Sequence, residues 1–127
     1  KKLLYIFFLP LSLFAQEKTV TKYYDSGETK SLYTVSEDQV SVTNFYENGA
    51  IKEKGNYNAN GNPDGIWTSF DANGNKNAQV FYVDGQKEGI WLHFEQSNKS
   101  VNQVTYSGDL AVNFEVKDAS DVMVSDQ

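Results

Sequence analysis

Between residues 39 and 116 apolar and polar positions alternate in short runs, and Gly-containing turns separate the runs. Alternation at period two marks a pleated strand, whose successive side chains point to opposite faces. In the run from Ile66 to Phe70 it places Ile66, Thr68 and Phe70 on one face and Trp67 and Ser69 on the other. The run from Ile90 to Phe94 repeats this, with Ile90, Leu92 and Phe94 opposite Trp91 and His93. Between Lys76 and Val83, Ala78, Val80 and Tyr82 share one face, and Phe81 and Val83 the other. Both faces therefore carry apolar side chains. Val40, Val42 and Thr43 add β-branched residues, which suit a half-buried pleated surface. Leu110, Val112, Phe114 and Val116 alternate with small or polar residues and predict a closing strand over 110–116.

The runs also recur. Tyr46-Glu47-Asn48-Gly49, Tyr57 and Gly61 to Trp67 are followed by Phe70-Asp71-Ala72-Asn73-Gly74, Tyr82 and Gly85 to Trp91. Gly49 to Gly74 and Tyr57 to Tyr82 are steps of 25, and Gly65 to Gly89 and Trp67 to Trp91 are steps of 24. A period of this size indicates a repeat architecture. A degraded copy precedes the pair at Tyr23 to Gly27, with Tyr33 in the place of Tyr57 and no tryptophan partner. A half-copy follows, ending at Tyr106. Asn48-Gly49, Asn73-Gly74 and Asp84-Gly85 carry the chemistry of two-residue type I′ turns, in which both central residues take positive φ. Asn60-Gly61 belongs to a longer loop, where Pro63 marks non-strand. These features predict an all-β fold, an antiparallel meander of repeated β-hairpins forming an elongated sheet. The hairpin domain spans 16–116, with its clearest repeats at 46–69 and 70–94. An acidic, flexible tail follows over 117–127, and no helix is expected in the mature chain.

The N-terminus departs from this pattern. Lys1 and Lys2 precede an almost unbroken apolar run from Leu3 to Phe14, and Ala15 follows as a small residue before Gln16. That is the layout of a secretory signal peptide over 1–15, too short for an ordinary membrane span. It predicts a secreted or periplasmic protein with no membrane insertion once the signal is removed. Net charge is −6, and loss of the two lysines takes it to −6 − 2 = −8. Such a chain is repelled by nucleic acid phosphates and anionic membranes. No basic cluster offsets this, and arginine is absent. The lack of cysteine excludes disulfides and thiolate sites and fits a bacterial exterior.

The pattern of an aromatic residue, Asn-Gly, a tyrosine, a Gly-x-x-x-Gly loop and Ile-Trp resembles the variant MORN repeat of bacterial proteins, a group often labelled antitoxin-like. The resemblance is specific over Tyr46 to Trp91 and weaker over the rest of Tyr23 to Tyr106. It implies a string of β-hairpins acting as an interaction or scaffold module. Its repeated positions are structural, so it carries over no catalytic residue. The toxin–antitoxin label fits poorly with a signal peptide.

Enzyme signatures are missing. His93 is the sole histidine, and a lone strand histidine is ordinarily a surface or packing residue. There is no Gly-x-Ser-x-Gly elbow, His-Glu-x-x-His or phosphate-loop motif. The Gly61–Gly65 and Gly85–Gly89 loops lack the helix that makes such loops bind phosphate. Asp71-x-Asn73-x-Asn75 resembles the start of a calcium loop, but its glycine is displaced and Tyr82 stands where a bidentate glutamate belongs. No catalytic residue, metal or cofactor is therefore expected. The recurring aromatics Trp67, Trp91, Tyr57, Tyr82 and Phe70 are expected to pack the sheet with partial exposure, and they are also the candidate partner-binding residues, since aromatics are enriched at interfaces. Their partner would be another protein or an envelope component. The alternative is a carbohydrate-binding module using an exposed aromatic face.

Overall fold

The computed structural model describes residues 17–122. The expected signal segment and residues 123–127 of the expected tail lie outside the described residues. Ten strands follow in order: β1 (Lys18–Tyr23), β2 (Thr29–Val35), β3 (Gln39–Phe45), β4 (Ile51–Asn58), β5 (Gly65–Phe70), β6 (Lys76–Val83), β7 (Gln86–Lys87), β8 (Gly89–Glu95), β9 (Ser100–Ser107) and β10 (Leu110–Asp118). They form one antiparallel meander in chain order, with the short β7 attached to β6. The sheet is not closed into a barrel: β1 pairs with β2 alone and β10 with β9 alone among the described residues. The all-β expectation holds, and the faces of β5, β6 and β8 fall as the alternation places them, whereas in β10 a bulge between Ala111 and Asn113 takes Leu110 off the face of Phe114 and Val116. The last strand runs further than expected. Lys117 and Asp118 pair with Val101 and Ser100, and Asp118 then caps a 3₁₀ turn at Ala119–Asp121.

The turns explain why the chain meanders, and they correct one expectation. Asn48-Gly49 and Asn73-Gly74 are not type I′ turns. Asn48 and Asn73 keep negative φ, and only Gly49 and Gly74 take the left-handed conformation, at φ 86° and 87°. The Gly49 N–H donates to the Tyr46 carbonyl (3.0 Å) and the Tyr46 N–H to the Ala50 carbonyl (2.8 Å). Asp71 to Asn75 repeats this at 3.1 and 2.8 Å, and Tyr24 to Glu28 at 2.9 and 2.8 Å. This is a type I turn closed by a left-handed glycine, a three-residue hairpin loop that needs positive φ only once. The same bonding closes the loop from Asn58 to Asn62. The type I′ geometry does occur at Asp84-Gly85, where φ is 46° and 84°. That difference accounts for the change of period. Tyr57 to Gly65 includes the longer loop and Tyr82 to Gly89 the shorter one, so a step of 25 becomes a step of 24.

Cross-strand register lines up one side chain from each strand. On one face Tyr33 opposes Val42, Val42 opposes Gly55, Trp67 opposes Val80, Trp91 opposes Val104, and Val104 opposes Phe114. On the other, Leu32 opposes Thr43, Lys54 opposes Thr68, Thr68 opposes Gln79, and Gln79 opposes Leu92. The buried apolar residues divide between the two faces. Val42, Trp67 and Trp91 lie on the first, and Leu92 and Val101 on the second. Burial through cross-strand neighbours, repeated hairpin after hairpin, takes the place of one deep core.

Candidate functional site

Each tryptophan is built into its repeat at a bulge. After the loop that follows β4, the chain folds back so that Pro63 opposes Tyr57, and Gly65 (φ 87°) turns it into β5. After β6, Lys87 opposes Tyr82, and Gly89 (φ 64°) turns the chain into β8. The Asp64 N–H donates to the Asn56 carbonyl (3.0 Å), and the Trp67 indole N–H donates to the same oxygen (3.1 Å). The second repeat matches: the Phe81 carbonyl accepts from the Glu88 N–H (3.1 Å) and the Trp91 indole (2.9 Å). Tyr57 meets Trp67 edge-on with centroids 5.0 Å apart, and Tyr82 meets Trp91 at 5.1 Å. Both indoles are 7% exposed. With ring faces covered and N–H groups bonded, neither forms a free stacking platform.

The remaining candidate aromatics divide. Tyr57 and Tyr82 are half-buried beside the tryptophans, whereas Phe70 lies on the opposite face. The structure thus gathers Trp67, Trp91, Tyr57 and Tyr82 and leaves Phe70 apart. The Phe70 carbonyl instead accepts the Tyr46 hydroxyl (2.8 Å), and the Phe45 carbonyl accepts that of Tyr24 (2.6 Å). At the other end of the strands the loop tips are joined. Asp84 Oδ1 accepts from the Asn58 and Asn62 side-chain amides (2.6 and 3.0 Å), and the Asp84 N–H donates to Asp64 Oδ1 (2.8 Å). Glu88 repeats the role of Asp64 by accepting from the Gly108 N–H (2.9 Å). These bonds hold the Asp84 carboxyl below the ordinary carboxylate range, chiefly through Asn62 and Asn58.

The sequence also drew attention to His93 and Asp71. His93 is exposed, its ring 6.3 Å from that of Trp91. Asp71 Oδ1 accepts the backbone N–H groups of Asn73 and Asn75 (both 2.9 Å), and Oδ2 accepts the Asn75 side-chain amide (3.1 Å). Both carboxylate oxygens thus cap their own turn. No group of three or more metal-ligating side chains occurs among the described residues.

One feature escaped the sequence reading. An open cleft of ≈ 550 Å³ lies between the β2–β3 turn and the loop after β4. Tyr33, Val40 and Tyr57 line it, with Glu37 and Asp38 at the turn. Burial, then the charge of Glu53 and the neighbouring Tyr33, raises the Tyr57 pKa, so its phenol stays protonated. The signal for the cleft was an absence. The β2–β3 connection turns directly at Ser36–Asp38, without the folded-back segment that places Pro63 over Tyr57 and Lys87 over Tyr82.

With one hairpin per unit established, comparison with known families decides the type of repeat. The MORN repeat variant model matches residues 40–59 and 63–84. These two segments are similar to the variant MORN repeat. Each match spans one hairpin, β3–β4 and β5–β6, and its turn. The units expected at 46–69 and 70–94 describe the same cycle, cut at the turn instead of at the first strand. The match carries no antitoxin assignment. No curated protein and no solved structure matches the chain.

Proposed function

We propose that this MORN-repeat protein is an exported, non-catalytic interaction module whose partner is another protein of the cell envelope. MORN repeats suggest a protein-interaction role and are generally non-catalytic. One observation carries the reading. The repeated polar and aromatic side chains bind hairpin to hairpin, while the Tyr33–Tyr57 cleft stays open beside an acidic turn. Export rests on Lys1-Lys2 and the Leu3–Phe14 run, and mass spectrometry of the native protein should find an N-terminus at or near Gln16. A photo-crosslinking residue at Gln39, which borders the cleft, should capture one envelope protein. The same residue at the exposed Asn77 should not. Equal capture from both positions, or none from Gln39, would reject the cleft as the contact.

The carbohydrate reading changes its residues. Trp67 and Trp91 are covered, so a sugar would stack on Tyr33 and Tyr57 instead. Because Trp67 touches Tyr57, its fluorescence reports on that cleft. A saturable change on adding envelope glycans, lost in Tyr33→Ala, would favour this reading over a protein partner.

A further inference from the structure

The two ends of the sheet differ in chemistry. β1 exposes Val20 and Tyr23, but it also presents Lys18, Thr19, Thr21 and Lys22, and lysine on an edge discourages strand addition. β10 presents Leu110 (67% exposed), Val112 (56%), Phe114 (62%) and Val116 (61%). Its intervening polar side chains already satisfy one another. The Asn113 amide donates to Glu115 Oε1 (2.9 Å), and Lys117 Nζ lies 3.3 Å from Glu115 Oε2. Among the described residues, what remains unpartnered on β10 is a set of exposed apolar side chains, with Phe114 and Val116 on one face and Leu110 beyond the bulge, and one edge of backbone donors and acceptors. A long apolar edge of this kind is a template for strand pairing.

We propose that β10 pairs antiparallel with β10 of a second copy of this chain, giving a two-fold dimer with one continuous sheet. This goes beyond the interaction role above, since it names a partner and a surface outside the cleft. The topology favours this occupant. All neighbouring strands are antiparallel, and the path from β1 to β10 contains nine strands when the attached β7 is left aside. β1 and β10 therefore run in the same direction, and stacking copies by translation would force a parallel β10–β1 pair. A two-fold axis normal to the sheet beside β10 keeps the pairing antiparallel, joins like faces and closes after two copies.

The sequence of β10 is self-complementary about Phe114. In that register Phe114 opposes its own symmetry mate, Asn113 opposes Glu115 and Val112 opposes Val116, and the bulge between Ala111 and Asn113 ends the regular pairing there. No like charges stand directly opposite in that stretch. Shifting the axis to Glu115 would set one carboxylate against another, which is destabilising. Shifting it to Asn113 would centre the pairing on the bulge between Ala111 and Asn113. The bulge between Ala111 and Asn113 lies near one end of the strand, and Asn113 to Asp118 keeps a regular register with β9.

The test uses the full chain in sedimentation equilibrium, with single substitutions at exposed positions and circular dichroism to confirm the fold. The parent should show a concentration-dependent dimer, and Phe114→Lys should be a folded monomer over the same range. Because the chain has no cysteine, Phe114→Cys provides a clean second probe. Mild oxidation should join it into a covalent dimer through the axis, whereas Thr19→Cys on β1 should stay largely monomeric. A parent that is monomeric throughout, as when residues 123–127 cover β10, would overturn the proposal. So would a dimer that survives Phe114→Lys, because association would then run through another surface, such as the apolar run from Leu3 to Phe14.

Discussion

The repeats that hold Trp67 and Trp91 bury the same indole to the same extent, but with different neighbours. Trp67 lies on the backbone of β4 at Gly55, where an added Cβ would fall 2.1 Å from its ring carbon Cδ2. The equivalent residue in the next repeat is Val80, so the Trp91 ring cannot lie that close to β6. It is covered instead by Tyr82 and Tyr106, both with centroids 5.1 Å away, and by the Lys87 ammonium 4.8 Å above it. The opposite face differs too. Thr68 occupies the slot that Leu92 fills 24 residues later. One indole–carbonyl bond is therefore reached by two packing solutions, and the repeat fixes that bond more strictly than it fixes the neighbours.

The most severe way to break this comparison is to remove the indoles. Trp67→Ala and Trp91→Ala should each cost roughly 3–5 kcal/mol, as aromatic truncations in packed sites do. Trp91→Ala should cost more, because it loses two edge contacts, each worth about 0.5–1.5 kcal/mol. A domain of this size has about 5–15 kcal/mol in total, so thermal melting should show both variants close to unfolding. Unchanged melting in both would refute the packing role and return the tryptophans to a binding face.

Gly55 offers the next largest effect. Gly55→Ala places a methyl inside the Trp67 ring position, so the ring or the strand must shift, at about 1–3 kcal/mol for overpacking. Val80→Ala should cost less than this, since it leaves a small gap and creates no clash. Chemical denaturation of the two variants should give that order. The reverse order would show that Trp67 can leave the Gly55 surface freely.

How much of this was legible beforehand differs from residue to residue. The faces of Trp67, Trp91, Tyr82 and Phe70 followed from alternation alone, because a strand has only two sides. The repeat and the hairpin order followed from the period and the turn residues. The turn type at Asn48-Gly49 did not, since an Asn-Gly pair fits both a type I′ turn and a type I turn closed by a left-handed glycine. The carbonyls that receive the indole N–H groups were also hidden. They face the tryptophans because the chain bulges at Asp64-Gly65 and Glu88-Gly89, and no local pattern announces a bulge. The Tyr33–Tyr57 cleft depends on a folded-back segment that the β2–β3 connection lacks.

Thr68 tests whether the first repeat can be moved towards the second. Its side chain is 1% exposed, and its hydroxyl oxygen has no hydrogen-bond partner. An unsatisfied buried hydroxyl costs about 1–3 kcal/mol, and a replacement of the same shape removes that cost. Thr68→Val should therefore stabilise the protein by about 1 kcal/mol, read as a rise in melting temperature. A loss of stability would mean that the hydroxyl has a partner in solution.

The smallest effect concerns the contact between the two repeats at Asp84. Its carboxyl is fully exposed, yet its pKa lies below the ordinary value because Asn62 and Asn58 of the preceding repeat donate to it. Asp71 is lowered as well, but chiefly by Asn75 within its own turn. A carboxyl whose pKa is depressed on folding contributes stability above its unfolded pKa, near 3.9, and loses it as pH falls through the folded value. Both groups thus make the protein less stable in acid, but they act over different distances. Asp84→Asn keeps a residue that tolerates the positive φ at this turn. It removes only the charged acceptor shared with Asn58 and Asn62. Melting curves at neutral pH and near pH 2.5 should show a smaller acid loss in Asp84→Asn than in the parent. Asp71→Asn should give a similar reduction, but only Asp84→Asn should speed amide exchange at both loop tips, 58–62 and 84–85. Faster exchange confined to 84–85 would mean that the Asn58 and Asn62 contacts do not couple the repeats.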